Sequence, residues 1–216
     1  VGSQLLGMYW SGSVGDDTGA LYLGEAARTN EHYTGGTVVG PARLGELGFY
    51  DIDVLKLEIS SQSRVWGDTS FQCSAGSSDK ACIVDTGTPS IVVPKEIADF
   101  INELAESGQP LGSLSFTLAG AAGAAAVKLE FDLRTLLANR LISAGAGNGI
   151  ILGLPLWAWY YTVFDIKAGA VEFIPVDPPM AATTTPALFG DGGWDFGGWR
   201  RLGASPPSPA GGTLLV

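Results

Sequence analysis

Ala81-Cys82-Ile83-Val84-Asp85-Thr86-Gly87-Thr88 is the stretch that decides the reading of this chain. An apolar run of strand-forming residues stops abruptly at an aspartate followed by turn-forming residues. That pattern puts a carboxylate at the end of a buried strand, where the chain bends. Working outward, Pro94 is predicted to open a helix from its first turn. Ile97, Phe100, Ile101 and Leu104 follow the helical spacing of a buried stripe, and Gly108 closes the segment.

The flanking segments read mostly as strands. Ala20–Leu23 is a short apolar strand entered through a polar turn, and Thr37–Val39 is another. Residues 49–59 alternate, with Ile52, Val54, Leu57 and Ile59 set among Asp51, Asp53, Lys56 and Glu58, which predicts one strand bulged near Leu55 to Leu57. Leu114, Phe116 and Leu118 alternate with Ser115 and Thr117, and residues 127–131 supply a partner. Asp132 is a predicted N-cap for a short helix carrying Leu133, Leu136 and Leu137. Residues 149–152 read as a buried strand, and residues 160–164 and 171–174 as a hairpin. The expected fold class is therefore mainly β, with two or three short helices.

Composition agrees. The chain has 216 residues, 31 of them glycine, and only 16% are charged, which suits a turn-rich β protein. The formal net charge of −10 argues against nucleic acid or an anionic membrane as partner. Val1 in first position, with no charged and then apolar leader behind it, reads as a mature or truncated product. Residues 141–164 carry no formal charge and could pass for a membrane span. Gly145, Gly147, Asn148, Gly149, Gly153 and Pro155 interrupt them, whereas a spanning helix wants about 20 mainly apolar residues in register. No membrane span is expected.

Cys73 and Cys82 are the only cysteines. Zinc wants about four ligands, and the single histidine, His32, is distant and reads as a surface hairpin residue. No metal and no cofactor are expected. A short disulfide loop suits the pair better than two free thiols, and would imply an oxidising compartment, secreted or within the endomembrane lumen. Residues 178–216 change character, with Pro, Gly, Thr and Ala dominating. They read as a flexible tail in which the aromatics Trp194, Phe196 and Trp199 could dock on something.

Taken together, the motif and its neighbours resemble the second active-site segment of the pepsin-like aspartic proteases. The Cys73/Cys82 loop sits just before it. Ile151-Leu152-Gly153 matches the strand that completes the loop around the aspartate, and residues 160–176 look like the family's last hairpin. Tyr33-Thr34-Gly35-Gly36 matches a family turn. The resemblance covers roughly residues 18–177 and implies that residues 1–177 form the C-terminal lobe of a bilobal acid protease.

It further implies an endopeptidase in which Asp85 is one of two aspartates that activate water. Gly87 and Thr88 would face the substrate, and Thr86, Ile151, Leu152 and Gly153 would support the loop. The implied partners are a peptide or protein substrate and an N-terminal lobe, in the same chain or a separate one. A second triplet, Asp17-Thr18-Gly19, follows a polar turn and is set aside as catalytic. Pro89 and Leu154 depart from the family pattern. The alternative reading is a non-catalytic pepsin-like lobe acting as a binding or assembly subunit.

Overall fold

The computed structural model describes residues 4–10, 19–39, 43–44, 50–67, 71, 73, 82–121, 124–176, 194–195 and 200–201. The chain divides into two compact units, Val1–Thr184 and Thr185–Val216. In the first, the strands before the Asp85 turn are β1 (Leu5–Trp10), β2 (Gly19–Leu23), β3 (Thr37–Val39), β4 (Arg43–Leu44), β5 (Tyr50–Asp51), β6 (Val54–Ile59), β7 (Arg64–Gly67) and β8 (Cys82–Val84). After the turn come β9 (Ile91–Pro94), α1 (Lys95–Glu106), β10 (Ser113–Leu118), β11 (Val127–Asp132) and α2 (Leu133–Ala138). The remainder is β12 (Ile142–Gly145), β13 (Ile150–Leu152), α3 (Pro155–Trp159), β14 (Tyr160–Asp165) and β15 (Ala170–Pro175).

The fold is mainly β. Three sheets carry it, ordered β2-β1-β14-β15-β3, β11-β10-β6-β7 and β12-β9-β13-β8-β5-β4. Pairing is antiparallel except where β12 meets β9 and β13 meets β8. The main core gathers apolar side chains of all three sheets, including Leu57, Phe116, Ile91, Leu152 and Phe173. A smaller cluster of Leu5, Ala27, Tyr161, Val163 and Ile174 lies on the other face of the first sheet. That division follows from period-two alternation along β14: Tyr161 and Val163 face the small cluster, Tyr160 and Phe164 the large one.

The single strand predicted for residues 49–59 is two. Ile52 and Asp53 break it, so that β5 joins the sheet of β8 while β6 joins that of β10. Backbone bonds fix the crossing: Ile52 donates to the Cys82 carbonyl at 2.8 Å and Ala119 donates to the Asp53 carbonyl at 2.9 Å. The expected bulge is present at Leu55. Leu118 pairs with Val54 and Thr117 with Lys56, leaving Leu55 unopposed and half exposed.

Pro94 also differs from expectation. It ends β9 and stands as the N-cap, with ψ 145, so the helix starts one residue later. The rest of α1 is as its spacing predicts: Ile97, Ile101 and Leu104 are buried, and Gly108 at φ +69 closes the end. At α2 the Asp132 carboxylate accepts the Thr135 N–H at 2.6 Å, the predicted cap.

The uncharged segment 141–164 is divided among β12, β13, α3 and β14. No described helix is long and apolar enough to cross a membrane. In the second unit, β16 (Trp194–Asp195) pairs antiparallel with β17 (Arg200–Arg201). Within residues 178–216 only 194–195 and 200–201 are described, so the flexibility expected of the rest, and the positions of Phe196 and Trp199, lie outside the described residues.

Candidate active site

Asp85 follows directly on β8, whose Cys82, Ile83 and Val84 are all buried, and is itself half-buried. Its position is fixed by β13, which threads between β8 and β9. Ile150, Ile151 and Leu152 run parallel to Cys82, Ile83 and Val84, while Ile151 and Leu152 lie antiparallel to Val92 and Ile91. Asp85 then donates its N–H to the Leu152 carbonyl at 3.1 Å. The strand reading of residues 149–152 and the Asp85 turn thus meet in one place.

The turn folds back on the carboxylate. Gly87 N–H donates to Oδ1 at 2.9 Å and Thr88 Oγ1 donates to Oδ2 at 2.6 Å. The Thr88 N–H donates to the Asp85 carbonyl at 3.3 Å. Among the described residues each carboxylate oxygen therefore has one donor and retains lone pairs for another partner. Thr86 and Gly87 are exposed, as is Pro89, and Thr88 is half-buried. The carboxylate is oriented from its own turn and stands at the surface of the described structure.

Gly153 locks the turn to β13. A Cβ at that position would collide with the carbonyl oxygens of both Thr88 and Ser90, so only glycine lets the strands approach this closely. The two departures noted in the sequence leave this arrangement standing. Leu154 donates its backbone N–H to the Thr88 carbonyl at 2.8 Å, a bond independent of its side chain. Pro89 removes a donor where the chain is exposed. Of the support residues, Leu152 and Gly153 are buried and Ile151 is half-buried.

Cys73 and Cys82 form a disulfide with Cα atoms 4.8 Å apart, tying residue 73 to the first residue of β8. Among the described residues no group of three or more His, Cys, Asp or Glu could hold a metal ion. Asp17 and Thr18 lie outside the described residues, while Gly19 begins β2.

Several side-chain pairings in the described structure have no announcing pattern in the sequence. Ser90, buried immediately before β9, shares a hydrogen bond of 2.7 Å with Ser143 of β12. A serine just before an apolar run is the sole local signal for it. On the first sheet, Glu172 is buried and takes Arg28 through Nε at 2.9 Å and again through Nη2, while Tyr33 donates to it at 2.9 Å. Arg28 Nη2 also reaches Asp165 at 3.1 Å. Burial, followed by the neighbouring Glu172 carboxylate, pushes the Tyr33 phenol up.

His32 is not a plain surface residue. It stacks on Tyr9 with ring centres 4.2 Å apart and meets Tyr161 at 5.8 Å. No family model matches the chain, and no curated protein matches it.

Proposed function

We propose that residues 1–177 are the C-terminal lobe of a pepsin-like aspartic endopeptidase, with Asp85 one of its two catalytic carboxylates. The observation that carries this reading is the double clamp on Asp85. Its backbone is held by the central strand β13, and each carboxylate oxygen takes a donor from its own Asp-Thr-Gly-Thr turn. A carboxylate that only capped a turn would need neither the threaded strand nor the close approach at Gly153.

The chemistry follows from like charges. Two carboxylates brought close together cannot both ionise easily, so the pair holds one proton between them. The charged member takes a proton from a water molecule as its oxygen attacks the peptide carbonyl carbon. The protonated member donates to the carbonyl oxygen; on collapse the carboxyl that took the water proton gives it to the leaving nitrogen, the other carboxylate takes back the hydroxyl proton, and the C–N bond breaks. Here Gly87 N–H and Thr88 Oγ1 hold the Asp85 plane, and the exposed turn at Gly87 and Thr88 meets the substrate. The second aspartate belongs to an N-terminal lobe, in the same polypeptide or a separate one. The disulfide fits a secreted or lumenal setting.

The test is Asp85→Asn in the two-lobed protein, assayed for peptide cleavage at acid pH. The substitution preserves shape and removes the ionisable proton, so activity falls to background while the fold persists. Undiminished activity overturns the catalytic assignment. The isolated lobe is expected to be silent, and activity rising with the square of its concentration would instead mean a self-dimer. Peptide binding without cleavage by the unaltered two-lobed protein would favour a non-catalytic binding subunit.

A further inference from the structure

Asparagine is carried at positions 30, 102, 139 and 148, and the structure treats the four differently. Asn30 donates to the Ala26 carbonyl at 2.7 Å and to the Tyr161 hydroxyl at 2.8 Å, and its Oδ1 accepts the His32 N–H at 2.9 Å. Asn139 donates to the Thr135 carbonyl at 2.9 Å where α2 ends. Asn102 lies inside α1, where the following amide is tied into the helix. Asn148 is exposed in a bend between β12 and β13, and the next residue is Gly149, with no side chain to shield its backbone nitrogen.

We propose that Asn148 is a site of spontaneous deamidation, and that its isoaspartyl product loosens the strand that supports the Asp85 turn. The Gly149 backbone nitrogen, having given up its proton to solvent, attacks Asn148 Cγ. A new N–Cγ bond forms, the Cγ–Nδ2 bond breaks, and the amide nitrogen leaves as ammonia. The product is a five-membered succinimide. Water then opens the ring at one of its two carbonyls. Opening at Cγ leaves aspartate in a normal chain, and opening at the backbone carbonyl leaves isoaspartate, whose chain runs through Cβ and gains a methylene. The reaction needs water and no redox partner.

Placement gives the modification its consequence. Ile150, fully buried, begins β13 two residues after Asn148. β13 is bonded to β8 on one side and β9 on the other, so it has no free edge along which to slide. β12 ends at Gly145, and its own pairing with β9 anchors the other end of the connection. An added backbone methylene and a new negative charge in this short connection must therefore be absorbed by the loop or by β13. The Leu152 carbonyl, which receives the Asp85 N–H, lies on that strand. None of this requires the protease reading.

Incubation of the protein at mildly alkaline pH, digestion and peptide mapping test the proposal. Peptides containing Asn148 should gain the mass of an amide-to-carboxyl exchange in two chromatographic forms. The more abundant should be labelled by an isoaspartyl methyltransferase, with Asn30, Asn102 and Asn139 intact. Gly149 is not among the glycines at positive φ, so Gly149→Ala carries no backbone-conformation penalty and should lose most of the modification. Hydrogen exchange at the amides of Leu152 and Asp85 should be faster in the aged protein than in the fresh. No conversion at Asn148, conversion spread evenly over the four asparagines, or full conversion in Gly149→Ala would overturn the site. Unchanged exchange at Leu152 and Asp85 in fully converted protein would overturn the coupling to the turn.

Discussion

The Thr88 carbonyl accepts the Leu154 N–H at 2.8 Å, so the residue that grips the Asp85 carboxylate through its hydroxyl is itself gripped from beyond β13. Thr88 thereby connects two segments remote in sequence. Its side chain serves the aspartate and its backbone serves the strand that positions that aspartate. The geometry of the carboxylate is then set by the main core and not only by the turn.

Gly153, adjacent to Leu154, is the position where this closure is least tolerant. Gly153→Ala drives a methyl group into the Thr88 and Ser90 carbonyl oxygens, both backbone atoms that cannot swing aside. A loss of about 2–3 kcal/mol is expected from overpacking alone. Chemical denaturation should show it, with accelerated exchange at the Asp85 amide. Gly67→Ala is the control, since a Cβ there meets nothing within 4 Å. Equal stability of the two variants would mean that the turn and β13 are not locked together.

The Arg28–Glu172 pair makes a second prediction. The Glu172 side chain is 4% exposed and that of Arg28 is 34% exposed, so removing the arginine strands a buried carboxylate. Arg28→Ala is expected to cost about 2–4 kcal/mol, below the fully buried extreme because solvent still reaches the guanidinium. Lys56→Ala removes an exposed partner of Glu58 and should cost under about 1 kcal/mol. Adding Glu172→Gln to Arg28→Ala should recover part of the loss in urea denaturation, because it removes the stranded charge. Indistinguishable losses for Arg28→Ala and Lys56→Ala would show that Glu172 remains solvated.

Much of the site was legible because its signals are local. A buried strand running into Asp-Thr-Gly-Thr, and a second strand ending in glycine, are each readable within a few residues. What escaped depends on distance. Ser90 meets Ser143 across 53 positions and Arg28 meets Glu172 across 144, and neither has a pattern around it to announce the partner. β1 escaped for another reason. Leu6, Met8 and Trp10 pack on the main core while Leu5 and Tyr9 join the small one, so both faces are apolar and the alternation is masked. The four buried residues of β9 hid likewise, and the strand predicted across Ile52 and Asp53 ignored that two sheets compete for it.

Reduction of the disulfide should weaken the strand that carries Asp85. Cys73 and Cys82 close a loop with a sequence separation of 9, and the loop-entropy relation gives about 2.5–3 kcal/mol. Cys73→Ser with Cys82→Ser should lower the urea midpoint by the corresponding amount, with the fastest new exchange in β8. Mass spectrometry of the unreduced digest should show the linked peptide pair. Two thiols alkylated in the native protein would contradict the bond and, with it, the oxidising setting.

Alkaline pH supplies the last prediction. Burial pushes the phenols of Tyr160 and Tyr161 up from their ordinary value. The Tyr160 hydroxyl accepts the Glu130 N–H at 2.7 Å and donates to the Glu130 carbonyl at 3.2 Å. The Tyr161 hydroxyl donates to the Ala27 carbonyl at 2.8 Å. Ionisation would discard both donated bonds and place an anion in a buried site, where the one N–H that each oxygen accepts, from Glu130 and from Asn30, offsets only part of the lost hydration. Tyrosine in the unfolded chain ionises near pH 10, whereas these folded phenols hold their protons higher. Below about pH 10 both states are protonated and the stabilisation is whole. Above it the unfolded state binds fewer protons, so stability falls as pH rises toward the folded values. Tyrosinate absorbance followed beside circular dichroism should show these two phenols ionising only as the fold is lost. Tyr160→Phe should move the alkaline transition upward while costing about 1 kcal/mol at neutral pH through the lost hydrogen bonds. Ionisation of all six tyrosines near pH 10 with the fold intact would place Tyr160 and Tyr161 in contact with water.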